Sequence, residues 1–175
     1  MKLNKWEYES PLGIMVILSD DENLKGLWFH NQKHIEKNWN LTNIETKQNK
    51  INKLVVDWLD KYFKGEKPNP ELIPLDIETT AYRNKVFNQL KKIPYGSVST
   101  YKQIFEQMNK DKLEITGSSR AVGGAVGHNP IVIIIPCHRV IGTDESLTGY
   151  VAGIERKIEL LKLEDVNLKK NSQLK

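Results

Sequence analysis

With a single cysteine, Cys137, in 175 residues, the chain can form neither an internal disulfide nor a multi-thiolate zinc site. That thiol is either a small buried hydrophobe or a reactive group, and its neighbours must decide. No apolar run approaches the roughly 18 residues of a membrane span, and the start Met1-Lys2-Leu3-Asn4-Lys5-Trp6-Glu7 reaches an acidic residue before a signal-peptide core can form. A soluble cytoplasmic protein with no membrane partner is expected, nucleoid-associated if the source is prokaryotic. No cofactor motif is present, and no cofactor is expected. Among the four histidines, His30 and His34 stand four apart, a spacing that can hold a metal on a helix, but no third ligand accompanies them and no metal is expected.

Hydrophobic side chains make up 39% of the sequence and charged ones 27%, enough for one or two modest cores and too little for a large assembly. The net charge of +4 does not diagnose a polyanion binder, but it is unevenly spread. Residues 1–78 carry 11 Lys/Arg against 13 Asp/Glu, whereas residues 79–175 carry 15 against 9, so a nucleic acid would be sought on the second half. Part of that excess is the tail Lys169, Lys170 and Lys175.

Short antiparallel strands are expected at Trp6 to Ser10, Ile14 to Leu18 and Leu24 to Phe29, separated by a Pro11-Leu12-Gly13 turn and a polar turn. From about Thr46 to Tyr62, Ile51, Leu54, Val55, Trp58, Leu59 and Tyr62 recur at the spacing of an amphipathic helix, which Gly65 ends. The stretch from Gly65 to Thr80 holds Pro68, Pro70 and Pro74 and reads as an extended linker. A second domain then begins. Thr80 can cap a helix that stops at Pro94-Tyr95-Gly96, and Thr100 with Gln103 is a capping-box pattern before a short helix carrying Tyr101, Ile104, Phe105 and Met108. The expected class is α+β: an N-terminal α/β domain with linker over 1–78, then a mainly helical domain over 79–175.

A second short helix starts near Ser118 or Ser119, so the pair is compatible with a helix-turn-helix, as many αα-hairpins are. It reads Ser119-Arg120-Ala121-Val122-Gly123-Gly124-Ala125-Val126-Gly127. Each interior Gly costs a helix about 1 kcal/mol relative to Ala, so three of them need a reason. Close approach is one: such a helix can lie against a nucleic-acid backbone, with Arg120 adding charge near its positive end. Tight packing inside the core is the other.

Ile131-Val132-Ile133-Ile134-Ile135 is a continuous β-branched run, as expected of an extended segment buried on both sides. It delivers Pro136-Cys137-His138-Arg139-Val140, a thiol held rigidly beside groups that favour a thiolate. Neighbouring side chains in an extended chain point apart, so His138 would act on Cys137 through a water or a turn. An orienting carboxylate for His138 would be needed, and Glu164, at the end of an expected helix from Ile154 to Leu163, is one candidate.

Pro136-Cys137-His138-Arg139-Val140, preceded by Arg120-Ala121-Val122-Gly123-Gly124-Ala125 and Asn129-Pro130, resembles the signature of the O6-alkylguanine-DNA alkyltransferases, or methylated-DNA–protein-cysteine methyltransferases. The likeness runs from about Thr79 to Glu164, and the strand-rich first domain fits the less distinctive N-terminal domain of that family. It implies a single-turnover suicide transferase that repairs double-stranded DNA as a monomer, moving an alkyl group from O6-alkylguanine to Cys137, with O4-alkylthymine as a second substrate. His138 would then take the thiol proton through a water, with Glu164 orienting it. Asn129 would bridge the helix-turn-helix to the active-site strand. Tyr101 would crowd the target phosphate, help rotate the nucleotide out and contact guanine N3. Arg120 would fill the gap left by base flipping, while Ala121, Gly123 and Gly124 face the minor groove. The Cys137 and Val140 carbonyls would accept from the guanine amino group, and Tyr150 and Val151 would line the pocket. This role for a plug agrees with general physics, since a base atom inside a duplex cannot be reached without extrusion.

Tyr150-Val151-Ala152-Gly153 replaces the Tyr-Ser-Gly-Gly of many relatives, so a hydroxyl is missing and Ala152 adds bulk at the pocket lip, although the Val151 N–H can still donate to O6. Three other readings compete. A lesion binder that only flags damage would lack the cysteine, a thiol hydrolase would turn over repeatedly, and a regulator would bind a specific operator.

Overall fold

A computed structural model of the chain describes residues 1–33 and 39–167. The chain divides into two compact units, Met1–Glu78 and Thr79–Lys175. His34 and the tail lysines lie outside the described residues. No helix among those residues is long and apolar enough to cross a membrane.

The first unit is built on a four-stranded sheet of β1 (Asn4–Ser10), β2 (Gly13–Ser19), β3 (Leu24–Phe29) and β4 (Glu45–Thr46), in the order β3-β2-β1-β4. β1 and β2 form a hairpin with Ser10 opposite Gly13, and β4 runs parallel to β1. Residues 15–19 of β2 and all of β3 are buried, because both sheet faces are covered. Helix α1 (Lys50–Phe63) buries Ile51, Val55, Trp58, Leu59 and Tyr62. Another apolar cluster packs Trp39, Leu41 and Ile44 against Val16, Leu18 and Trp28.

Two expectations change here. The first helix begins at Lys50, not near Thr46, because Asn49 caps it through Asn52 N and Thr46 pairs with Lys5 of β1. The proline-rich stretch is also more than a linker. Its Pro74 carbonyl accepts from Leu24 N at 2.8 Å and its Asp76 N donates to Leu24 O at 3.1 Å, so it covers the edge of β3.

In the second unit α2 (Ala81–Leu90), α3 (Tyr101–Asn109) and α4 (Ser119–Val126) pack on one another through Val86, Phe87, Leu90, Ile104, Met108, Val122, Ala125 and Val126. Thr80 caps α2 and Ser118 caps α4, while Thr100 and Gln103 form a complete capping box on α3. Two glycines lie inside α4 and the third, Gly127, is its C-cap. A parallel pair, β5 (Ser99–Thr100) and β6 (Val140–Ile141), ties the start of α3 to the segment after Cys137. Helix α5 (Ile154–Leu163) closes a cluster of Ile141, Leu147 and Leu161. The fold is α+β, with a strand-rich first unit and a mainly helical second.

Residues 131–135 are not a strand. They are buried, but the chain turns through them: Ile135 N donates to Ile131 O at 3.1 Å, Ile134 N to Val132 O at 2.9 Å, and Ile133 sits at φ +71°. That left-handed conformation costs a β-branched residue about 1–2 kcal/mol. Asn129 offsets it by serving the turn from within, accepting from Ile131 N at 3.0 Å and donating to Ile135 O at 2.8 Å.

Candidate functional site

Cys137 opens a single 3-10 turn, Cys137–Arg139, at the end of this buried turn, and its side chain is buried. The amide of Asn129 lies 3.0 Å from Sγ, so one side chain fixes both the turn and the sulfur. The environment does not favour a resting thiolate as the sequence suggested. Burial pushes the thiol up to about 11, ahead of the opposing pull of the Asn129 amide and the charge of Lys157. The local conformation also differs from the extended one expected: Cys137, His138 and Arg139 share one helical turn.

His138 is fully buried, and its Nε2 lies 2.7 Å from Glu164 Oε1. Its Nδ1 is buried with no hydrogen-bond partner among the described residues. Burial holds the imidazole below its ordinary range, in the neutral form. With Glu164 accepting from Nε2–H, the unprotonated nitrogen is Nδ1. Glu164, the C-cap of α5, accepts further from Arg139 Nε and Nη2, both at 2.8 Å, and from Gly96 N at 3.4 Å. Against the cost of burial, these bonds to His138 and Arg139 hold its carboxyl well below the usual range, so it stays an anion. Arg139 in turn donates to Ile93 O at 2.8 Å and lies 5.8 Å from the Tyr95 ring centroid.

Tyr101 is the first residue of α3, half-buried, with its hydroxyl donating to Thr148 O at 3.2 Å. Burial, and then the charge of Cys137, keep its phenol protonated. Its ring lies against α4, where a side chain at Gly123 would touch it, whereas Gly124 faces open space. Arg120 is exposed in the first turn of α4, and Ala121 is half-buried. The Tyr150 ring lies edge-on to His138 at 6.5 Å, with its hydroxyl oxygen buried and unpartnered among the described residues. Val151 is half-buried and Ala152 buried, in the glycine-flanked turn before α5.

Lys157 was not among the site residues expected from the sequence. It is buried, and its Nζ lies 2.5 Å from Val140 O and 3.3 Å from Thr148 O, so the Val140 carbonyl expected to face a base is already engaged. Desolvation lowers its ammonium to about 8. Only its i+3 and i+4 spacing to inward residues of α5 hinted at burial. Arg139, treated in the sequence as a neighbour favouring the thiolate, is committed to Glu164 instead. His30 pairs with Glu7 at 3.1 Å.

These residues can hold a thiol dry, offer a neutral base whose other nitrogen is fixed, and keep a phenolic donor nearby. A family model described as "6-O-methylguanine DNA methyltransferase, DNA binding domain" matches residues 81–166, and one described as "6-O-methylguanine DNA methyltransferase, ribonuclease-like domain" matches residues 6–77. A methylated-DNA–protein-cysteine methyltransferase of Haemophilus influenzae is 38% identical over 91% of this chain and 84% of its own length. Its counterpart in Methanosarcina barkeri is 41% identical over 92% and 96%. The solved structure of Mycobacterium tuberculosis OGT in complex with DNA is 36% identical, with a TM-score of 0.77 over 92% of each chain.

Proposed function

Since this chain belongs to the 6-O-methylguanine DNA methyltransferase family, we propose that Cys137 is the atom-accepting residue through which it repairs DNA, taking the alkyl group from O6 of guanine in a duplex. It is a methylated-DNA–protein-cysteine methyltransferase in activity, and DNA is its partner. The observation that carries the assignment is the pairing of a buried thiol, fixed by Asn129 at 3.0 Å, with a neutral His138 fixed by Glu164 at 2.7 Å.

In this reading the thiol stays protonated, and so unreactive toward chance electrophiles, until a flipped base fills the space beside it. The proton passes through water to His138 Nδ1. Sulfur then attacks the alkyl carbon in line, forming C–S as C–O breaks. Guanine leaves as the neutral base on taking the Tyr101 phenol proton, and the phenolate recovers its proton from the His138 imidazolium through water. One proton has moved from thiol to guanine overall. Arg120 fills the gap in the stack, with α3 and α4 acting as the helix-turn-helix. O4-alkylthymine presents the same C–O bond and is a second substrate. The thioether has no leaving group that water can displace, so a monomer acts once.

Intact mass and peptide mapping after mixing with excess duplex containing one O6-methylguanine test this. One methyl group should appear on the peptide holding Cys137 and nowhere else. Turnover beyond one equivalent, or repaired DNA beside unmodified Cys137, would overturn it.

A further inference from the structure

The connection between α3 and α4, residues 110–118, is nine residues long, against about three or four in an ordinary helix-turn-helix. It is built rather than slack. The Asn109 amide pairs with Thr116 in both directions, Oδ1 accepting from Thr116 N at 2.7 Å and Nδ2 donating to Thr116 O at 3.1 Å, while Nδ2 also holds Phe105 O at 2.9 Å. Next, Gly117 at φ +81° passes so close to Tyr82 that a Cβ would lie 2.3 Å from its hydroxyl. These contacts pin the loop's base, and Ser118 leads straight into α4 as its cap.

The pinned loop presents Leu113, fully exposed, and Ile115, at 73% exposure. They are the exposed large apolar side chains among the described residues of the second unit. Lys110 and Lys112 accompany them, both exposed, as do the exposed Asp111 and Glu114, so the loop carries cations but no net charge. Nothing in the packing of the unit requires two large apolar residues in water at the end of a fixed projection.

We propose that this loop is a second DNA-contacting element, in which Leu113 and Ile115 press on the sugar edges and base step flanking the flipped nucleotide while Lys110 and Lys112 meet phosphates. The inference rests on the DNA-repair reading above. DNA is favoured over a protein partner for two reasons. The loop is continuous with the N-terminal turn of α4, seven residues from Leu113 to Arg120, so a duplex engaged by Arg120 passes beside it. Exposed Leu and Ile are also the kind of apolar wedge by which proteins lean into a minor groove, and a loop ordered beforehand loses little entropy on contact.

The test compares wild type, Leu113→Ser/Ile115→Ser and Lys110→Gln/Lys112→Gln in the full chain. It measures affinity for an O6-methylguanine duplex across salt concentrations, methyl transfer to Cys137 from the duplex and from the free base O6-methylguanine, and mass in solution. The serine pair should bind the duplex about tenfold more weakly while transferring from the free base at the wild-type rate. The glutamine pair should flatten the slope of log affinity against log salt by about 2, one unit per lost phosphate contact. Unchanged duplex affinity and salt slope in both variants, with wild type binding and transferring normally, would overturn the loop's role alone. A loss of self-association in the serine variant with DNA binding intact would overturn it in favour of a second copy as the occupant. A wild type that neither binds nor becomes methylated would overturn the underlying reading, and this inference with it.

Discussion

The Glu164 carboxylate and the His138 ring meet at 2.7 Å inside the second unit, leaving Nδ1 as the one ring nitrogen of His138 without a partner among the described residues. Glu164 thereby fixes which imidazole nitrogen is open to a proton, and Arg139 and Gly96 hold the carboxylate in place.

His138→Gln should slow transfer by about 100-fold to 10,000-fold, the usual reach of a positioned base, while leaving Glu164 paired with Arg139 and duplex affinity nearly unchanged. The deficit should shrink as pH rises, because the thiol ionises near 11 and hydroxide then does the work of the base. Single-turnover rates from pH 6 to 9 read this directly, and a constant deficit across that range would remove His138 from the proton path.

Acid should reach the same cluster through Glu164. Its carboxyl is held below the ordinary range in the fold, so between the two pKa values the unfolded chain binds the extra proton. The cluster's contribution is thus complete above the ordinary carboxylate range and is lost as pH falls below it. Urea unfolding should show wild type losing stability over that acid window, and Glu164→Gln, less stable at pH 7, losing less further.

Two helix caps were legible in the sequence because each is a local arrangement, Thr80 and Thr100 serving an amide three residues on, whereas the Asn49 cap of α1 was not anticipated. The contact of His138 with Glu164 spans 26 residues, yet it was anticipated because the end of α5 follows from periodicity. Residues 131–135 misled. Uniform β-branched apolarity reports burial, not hydrogen-bond pattern, and the partner that lets this segment turn without a sheet is one polar side chain, Asn129. The thiol misled likewise, since adjacent His138 and Arg139 suggested a thiolate while burial and the commitment of Arg139 to Glu164 oppose it. Lys157 was passed over because a lysine in an amphipathic helix is ordinarily solvated, even where its spacing matches the inward face.

Lys157→Met should expose what that buried cation does. Its ammonium favours the Cys137 thiolate, and that help is withdrawn as pH rises through about 8. Iodoacetamide should therefore modify wild-type Cys137 with a rate that climbs less than tenfold per pH unit across that range. The variant, slower at pH 7, should climb tenfold per unit without a break. Identical profiles would leave Lys157 as a clamp on the Val140 and Thr148 carbonyls alone.

Arg120 and Tyr101 can be separated by the substrate on which each matters. Arg120 is exposed at the start of α4, four residues before Gly124, where a side chain would meet open space. Its contribution should arise only when a base stack must be held open. Arg120→Ala should therefore slow transfer from duplex O6-methylguanine about tenfold or more, with transfer from the free base altered less than twofold. Tyr101 lies against α4 at Gly123 and is within the field of Cys137, so under the proposed mechanism its hydroxyl should act on the departing guanine whatever the source of the base. Tyr101→Phe keeps the ring and loses the donor, and it should slow transfer from both substrates by a similar factor while duplex affinity holds. Rates for the two variants on the two substrates decide the matter: equal slowing by Arg120→Ala on duplex and free base would reject the plug, and a Tyr101→Phe defect confined to affinity would reject the donor.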